Sequence, residues 1–250
     1  MIDRLIQSDG EDRILFLSGG PKSHLSTKSM LAVGMKKRVV ITQPKIEASE
    51  KHSPLSGETR LRQSQVPMQS SLQELRNGAW KVTNLIHAKS LDEMFRSLKP
   101  YTPKGSQWAG ALSYDLVQWT QPISLQYPPN EGEIIAILWL VEEWIEDDVI
   151  YPELPAAVRI EGEKSSHTDL EHADVVKRIK SSIVAGELYQ LNFGRTWEGP
   201  LGESPVSIFH RLAINNPAPF SGYIEAVDLG LALASSCLLY TSDAADEEAS

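Results

Sequence analysis

Apolar and polar positions alternate along much of the chain, and breaks at glycine, proline and polar runs divide it into short elements. RILFLSGG (13–20) predicts a buried strand that ends at two glycines, and KKRVVITQ (36–43) predicts a second strand with a basic start. Residues 44–67 carry three prolines and no periodicity, the pattern of a surface excursion. SLDEMFRSLKPY (90–101) predicts a helix with Ser90 as N-cap, acids in the first turn, and Leu91, Met94, Phe95 and Leu98 on one face. SQWAGALSYDLVQW (106–119) begins as a strand whose small residues let another backbone approach closely.

EIIAILWLVEEWIEDDVIYPELPAAVRI (133–160) predicts two or three antiparallel strands around an acidic turn. The strongest helical signal is SHTDLEHADVVKRIKSSIVAGE (166–187). Thr168 or Asp169 caps it, Val175, Val176, Ile179 and Ile183 share a stripe, and Gly186 stops it. LYQLNFG (188–194) alternates as a strand. Ser204 and Pro205 open a helix within 203–220, with Val206, Phe209, Leu212 and Ala213 facing inward. SGYIEAV and LGLALASS predict a final strand pair around a turn at Asp228–Gly230. The elements sum to an α+β chain, with strands in hairpins and helices laid over one face.

Composition narrows the classes little. The 250 residues are 41% hydrophobic and 23% charged, ordinary for a globular chain able to bury a core. The apolar run IIAILWLV (134–141) has strand length and falls short of a bilayer span. The start, MIDRLIQSDGEDR, lacks the regions of a secretory signal, and the one cysteine cannot form an internal disulfide, so a reducing, cytoplasmic setting is expected. A net charge of −9, from 33 acids and 24 bases, argues against nucleic-acid or anionic-membrane partners. Four of those acids, Asp243, Asp246, Glu247 and Glu248, sit in the last residues; without them 29 acids face 24 bases, a charge of −5.

Candidate chemistry read from the residues is sparse. SGGPKS (18–23) lacks the spacing of a phosphate loop and reads as a strand-ending turn. Glu142, Glu143, Glu146, Asp147 and Asp148 read as a solvated hairpin tip, because Trp144 and Ile145 interrupt the carboxylates as strand alternation would. His167 and His172 have no matching ligand pair, and no nucleophile elbow, Cys–His arrangement or dinucleotide fingerprint appears.

Three longer segments carry more. IVAGELYQLNFGRTW (183–197), NNPAPFSGYIE (215–225) and GALSYDLVQW (110–119) together resemble the chorismate-utilising enzymes, component I of aminodeoxychorismate synthase and component I of anthranilate synthase. The resemblance runs from about residue 10 to Ser236. It implies an anthranilate synthase component I-like fold: an antiparallel two-sheet sandwich with outer helices. It divides the chain into an amino-terminal region, 1–165, and the start of a chorismate-binding region, 166–236. Tyr189-Gln190-Leu191-Asn192, in place of two valines after the glutamine, and Ser221-Gly222 after Pro217-Ala218-Pro219-Phe220 lean toward aminodeoxychorismate synthase; anthranilate synthase is the alternative.

What the resemblance implies is amination of chorismate at C4 to 4-amino-4-deoxychorismate, on the p-aminobenzoate and folate route. Mg²⁺ serves as cofactor, and ammonia comes from a glutamine amidotransferase subunit. In the family the strand matching LALASS continues into Ser-Pro-Glu, with a catalytic glutamate, whereas Cys237 and Leu238 stand here. CLLYTSDAADE (237–247) resembles the translation of a sequencing-library adapter, so 237–250 is expected to be an artefact tail on a truncated chain. On that expectation no catalytic or metal-binding residue is assigned, the fragment is inactive and poorly soluble, and its tail is disordered. A different class, a non-catalytic amino-acid-binding or glutaminase-docking module, is the other reading. The resemblance also implies an amino-acid pocket of the tryptophan type, whose matching residues are Ser18, Leu25, Ser26, Thr27, Lys28, Pro219, Phe220 and Ser221.

Overall fold

The computed structural model describes Leu5 and residues 10–19, 28–45, 66–121, 125, 127–147 and 162–236. The expected excursion (in large part), Leu25, Ser26, Thr27, Asp148 and the tail beyond Ser236 lie outside these residues. Two compact units emerge. One comprises residues 1–152 and 212–250, the other residues 153–211.

The first unit holds two five-stranded antiparallel sheets. The strands in chain order are β1 (Arg13–Leu17), β2 (Ser29–Val33), β3 (Lys37–Thr42), β4 (Met68–Arg76), β5 (Ala79–Ala88), β6 (Gln107–Leu112), β7 (Ile134–Val141), β8 (Glu143–Asp147), β11 (Ser221–Ala226) and β12 (Leu231–Ser236), with β9 and β10 in the other unit. One sheet runs β12-β11-β1-β2-β8 and the other β5-β4-β3-β7-β6. Ile14, Ala32, Ile224 and Ala226 of the first sheet share a buried cluster with Val40, Ile137, Trp139 and Val141 of the second. The opposite face of the second sheet packs Val39, Ile41, Leu72 and Leu138 against Met94, Leu98, Leu116 and Trp119. These last four come from helix α1 (Leu91–Leu98) and the 3₁₀ turn Tyr114–Trp119. The architecture is therefore two antiparallel sheets with few helices, compatible with a sandwich.

The apolar run of β7 follows from this layering. It lies between β3 and β6 with both faces covered, so seven successive residues, Ile135 to Val141, are buried. Each fully buried aliphatic side chain contributes roughly 1.5–3 kcal/mol. The small residues of β6 matter where they meet β7: a Cβ on Gly110 would stand 2.0 Å from the Ile137 carbonyl oxygen.

Several local expectations hold. Ser90 caps α1 by accepting from the Glu93 N–H at 3.1 Å, with Met94 and Leu98 buried and Phe95 half exposed. Strands β11 and β12 pair in register around a turn closed by Gly230 at φ 59°.

Others are corrected. Residues 133–147 do not form a hairpin: β7 pairs with β3 and β6, whereas β8 pairs with β2 in the other sheet. The chain changes sheets at Glu142, and Glu143, Glu146 and Asp147 lie on an edge strand instead of a hairpin tip. The paired strands β4 and β5 go beyond the elements predicted from pattern. They turn through Asn77 at φ 54° and Gly78 at φ 74°, both left-handed, as a tight two-residue hairpin requires.

The second unit carries helix α2 (Asp169–Val184) and a small ribbon of β9 (Lys164–Ser165) with β10 (Trp197–Glu198). Thr168 and Glu171 form a reciprocal capping box at the start of α2, and Gly186 follows its end at φ 76°. Its apolar stripe is covered less than the pattern predicts. Val175, Val176 and Ile179 are half-buried, Ile183 is exposed, and no residue of α2 is buried. Residues 188–194 form no strand, a second correction: Tyr189 is 96% exposed and Leu191 50%. Helix α3 (Pro205–Asn215) starts at the predicted Ser204–Pro205 and buries Val206, Phe209 and Ala213.

Candidate functional site

The hydroxyl-rich end of the first sheet gathers several of the expected pocket residues. Ser18 lies one residue past β1, and its N–H donates to Ser29 Oγ at 3.0 Å. Ser29, at the start of β2, is 2% exposed. On the other side of β1, Leu17 faces Ser221, and Ser221 in turn faces Ser236 of β12. Ser221 and Ser236 hydroxyls meet at 3.0 Å, and Ser236 Oγ also donates to the Asn216 carbonyl. The loop before β11 is tied to the same place: the Gly19 N–H donates to the Ala218 carbonyl at 2.9 Å, and Ser221 Oγ donates to it at 3.4 Å.

These contacts bring Ser18, Pro219, Phe220 and Ser221 to one sheet end. Pro219 is half-buried and Phe220 is 55% exposed. The Ser18 hydroxyl is buried and has no hydrogen-bond partner among the described residues. An orphaned buried hydroxyl costs free energy unless something bonds it, about 1–3 kcal/mol. Lys28 just precedes β2, exposed, and its ammonium is held by Glu146 of β8 at 2.5 Å. That hydrogen bond, with the attraction of the same carboxylate, holds the Lys28 pKa above its ordinary value. Lys28 is therefore charged at neutral pH and already engaged.

Ser29 and Ser236 join the site beyond the residues that the family resemblance supplies. Their signal in the sequence was a hydroxyl terminating an otherwise apolar strand, in SMLAV and LALASS. Hydroxyls and backbone amides bind polar groups in both donor and acceptor roles but do not ionise near neutral pH. The arrangement suits holding a ligand, and among the described residues the hydroxyl row itself contributes no acid or base.

In the second unit, Phe193 lies between two histidines, with ring centroids 5.3 Å from His167 and 5.4 Å from His172. Arg195 stacks 4.8 Å from the Trp197 ring and pairs with Asp169 at 2.6 Å. The Glu171 carboxyl, bonded by the Thr168 N–H and then its hydroxyl, lies below the usual carboxylate range. No group of three or more His, Cys, Asp or Glu among the described residues is disposed to hold a metal ion. No helix among them is long and apolar enough to cross a membrane.

Comparison with known proteins gives these features a family. The model of the chorismate binding enzymes matches residues 57–245, well over half of the chain. The chain belongs to the chorismate-binding enzyme family. Aminodeoxychorismate synthase component 1 of Streptomyces lividans is 32% identical over 82 residues, covering 33% of this chain and 17% of that protein. Anthranilate synthase of Azospirillum brasilense is 26% identical over 143 residues, covering 46% of this chain and 19% of that protein. A rice (Oryza sativa subsp. japonica) chloroplastic anthranilate synthase alpha subunit 2 is 30% identical over 63 residues, 25% of this chain and 10% of that one. The chain thus spans less than a fifth of the length of these chorismate enzymes. The family match covers β4–β8, α2, the Phe193 segment, α3 and the β11–β12 pair.

Proposed function

We propose that this chain derives from an aminodeoxychorismate synthase component I, the subunit that aminates chorismate with ammonia from a glutamine amidotransferase. The observation that carries the reading is the Gln190-Leu191-Asn192 segment followed by Pro219-Phe220-Ser221-Gly222, together with the 32% identity to the Streptomyces lividans enzyme. Anthranilate synthase is the second reading, favoured by the two matching proteins of that name.

The reaction requires a held dicarboxylate, an acid that helps a hydroxyl leave, and unprotonated ammonia. The described residues do not fit the family's Mg²⁺: their acids are spread over strands, turns and helices, and no three or more of His, Cys, Asp and Glu among them form a ligating cluster. We propose that the 250-residue polypeptide alone forms neither product. Incubating it with chorismate, Mg²⁺ and a glutaminase, with chromatographic detection of aminodeoxychorismate and anthranilate, is expected to yield none. Aminodeoxychorismate would overturn the proposed inactivity, and anthranilate would also overturn the choice of branch.

We propose further that the hydroxyl row at Ser18, Ser29, Ser221 and Ser236 holds an amino-acid zwitterion, with Pro219 and Phe220 as its apolar wall. The Ser18 hydroxyl, buried without a hydrogen-bond partner among the described residues, supports this reading. Calorimetric titration with L-tryptophan is expected to show binding that Ser18→Ala weakens roughly tenfold, the loss of about one neutral hydrogen bond. Equal affinity in the variant would remove Ser18 from the site, and no binding at all would remove the pocket.

A further inference from the structure

The connection between β11 and β12 is tied to the second sheet by one buried cation. Arg38 of β3 is 1% exposed, and its two terminal nitrogens each donate to an Asp228 oxygen at 2.6 Å. The same guanidinium donates to Asp12 at 3.0 Å and to Gln73 at 2.8 Å, and lies 4.3 Å from the Trp80 ring centroid. The two carboxylates differ. Asp12 is 5% exposed at its side chain and also accepts from Trp139 Nε1 at 2.8 Å and from the Val227 N–H at 3.0 Å. The Asp228 side chain is 43% exposed and sits in the turn that leads into β12.

Among the described residues, strand β12 is an edge strand. It pairs on one side with β11, and Leu233, Ala234 and Ser235 in its middle are exposed. Polar contacts secure its two ends: the Asp228 grip at the turn, and the Ser236 bonds to Ser221 and Asn216 at the far end.

We propose that Asp228 and Arg38 form a latch that closes β12 on the sandwich, and that its release frees β12 while the rest of the two sheets stays folded. The asymmetry of the two acids makes this possible. Loss of Asp228 leaves Arg38 paired with Asp12, Gln73 and Trp80, so no uncompensated charge is buried. The Val227 N–H on Asp12 pins the end of β11, which sets the hinge just after Val227. Opening also withdraws Ser236 from Ser221, so the latch acts on the hydroxyl row through one strand. The latch itself is independent of what that row binds.

Hydrogen exchange followed by mass spectrometry on the 250-residue chain tests it, comparing the unaltered protein with Asp228→Ala and Asp228→Glu. In Asp228→Ala the amides of β12 paired with β11 are expected to exchange at least roughly tenfold faster, with β1, β3 and β7 unchanged and with protection restored by glutamate. Uniform acceleration across both sheets, unchanged exchange in β12, or failure of Asp228→Ala to fold would each overturn the latch, because each denies a separable opening.

Discussion

Replacing Gly110 with alanine is expected to remove about 3 kcal/mol of stability and lower the denaturant midpoint sharply. The added Cβ would lie 2.0 Å from the Ile137 carbonyl oxygen and 2.8 Å from Leu138 Cα, both backbone atoms that no rotamer change can move aside. Relief requires β6 to withdraw from β7, which breaks the pairing of Trp108 with Leu140 and of Gly110 with Leu138. Overpacking of this kind costs about 3 kcal/mol at the upper end of its usual range, against a total stability of roughly 5–15 kcal/mol. Gly222→Ala is the matched control, since a Cβ there meets Phe16 Cδ1 at 3.5 Å, an ordinary contact. Denaturant midpoints of the two variants give the answer. If Gly110→Ala unfolds at the midpoint of the unaltered chain, the close approach of β6 to β7 is wrong.

Arg38→Met should be at least as damaging, and for an electrostatic reason. The substitution keeps the apolar stem but leaves the buried Asp12 carboxylate without its cation, and removes both bonds to Asp228. Breaking a buried pair from one side typically costs about 3–5 kcal/mol. Adding Asp12→Asn to Arg38→Met is expected to recover part of the loss, because the stranded charge is then gone. A double variant as unstable as the sum of the two single ones would show that the two groups do not interact.

How much of this could be read from the chain depended on whether the deciding contact was local. Ser90 and Thr168 were legible because a cap needs only a side-chain oxygen and the N–H three residues on. The Asp228–Gly230 turn was legible for the same reason. Asn77-Gly78 carried an equally local hairpin signal between two strands of mixed polarity, yet β4 and β5 alternate weakly because much of β5 is exposed. The separation of β7 from β8 was not legible. Glu142 looks like any turn residue, and only the whole sandwich decides that the next strand joins β2.

The candidate site divides the same way. Ser18, Pro219 and Ser221 came from a family pattern, whereas Ser29 and Ser236 enter through strand register, a property of distant pairing. The alternation in residues 188–194 suggested a strand where none forms, since period alone does not supply a neighbour to pair with.

The order of the first sheet has a consequence for how the chain is made. β1 lies between β2, which follows it at once, and β11, which begins at Ser221. At about 5–20 residues per second, a ribosome would emit β1 roughly 10–40 s before its second partner, and the nascent strand must wait with one edge bare. A chaperone that shields that edge during translation should therefore raise the yield of folded chain, and slower synthesis should lengthen the exposure.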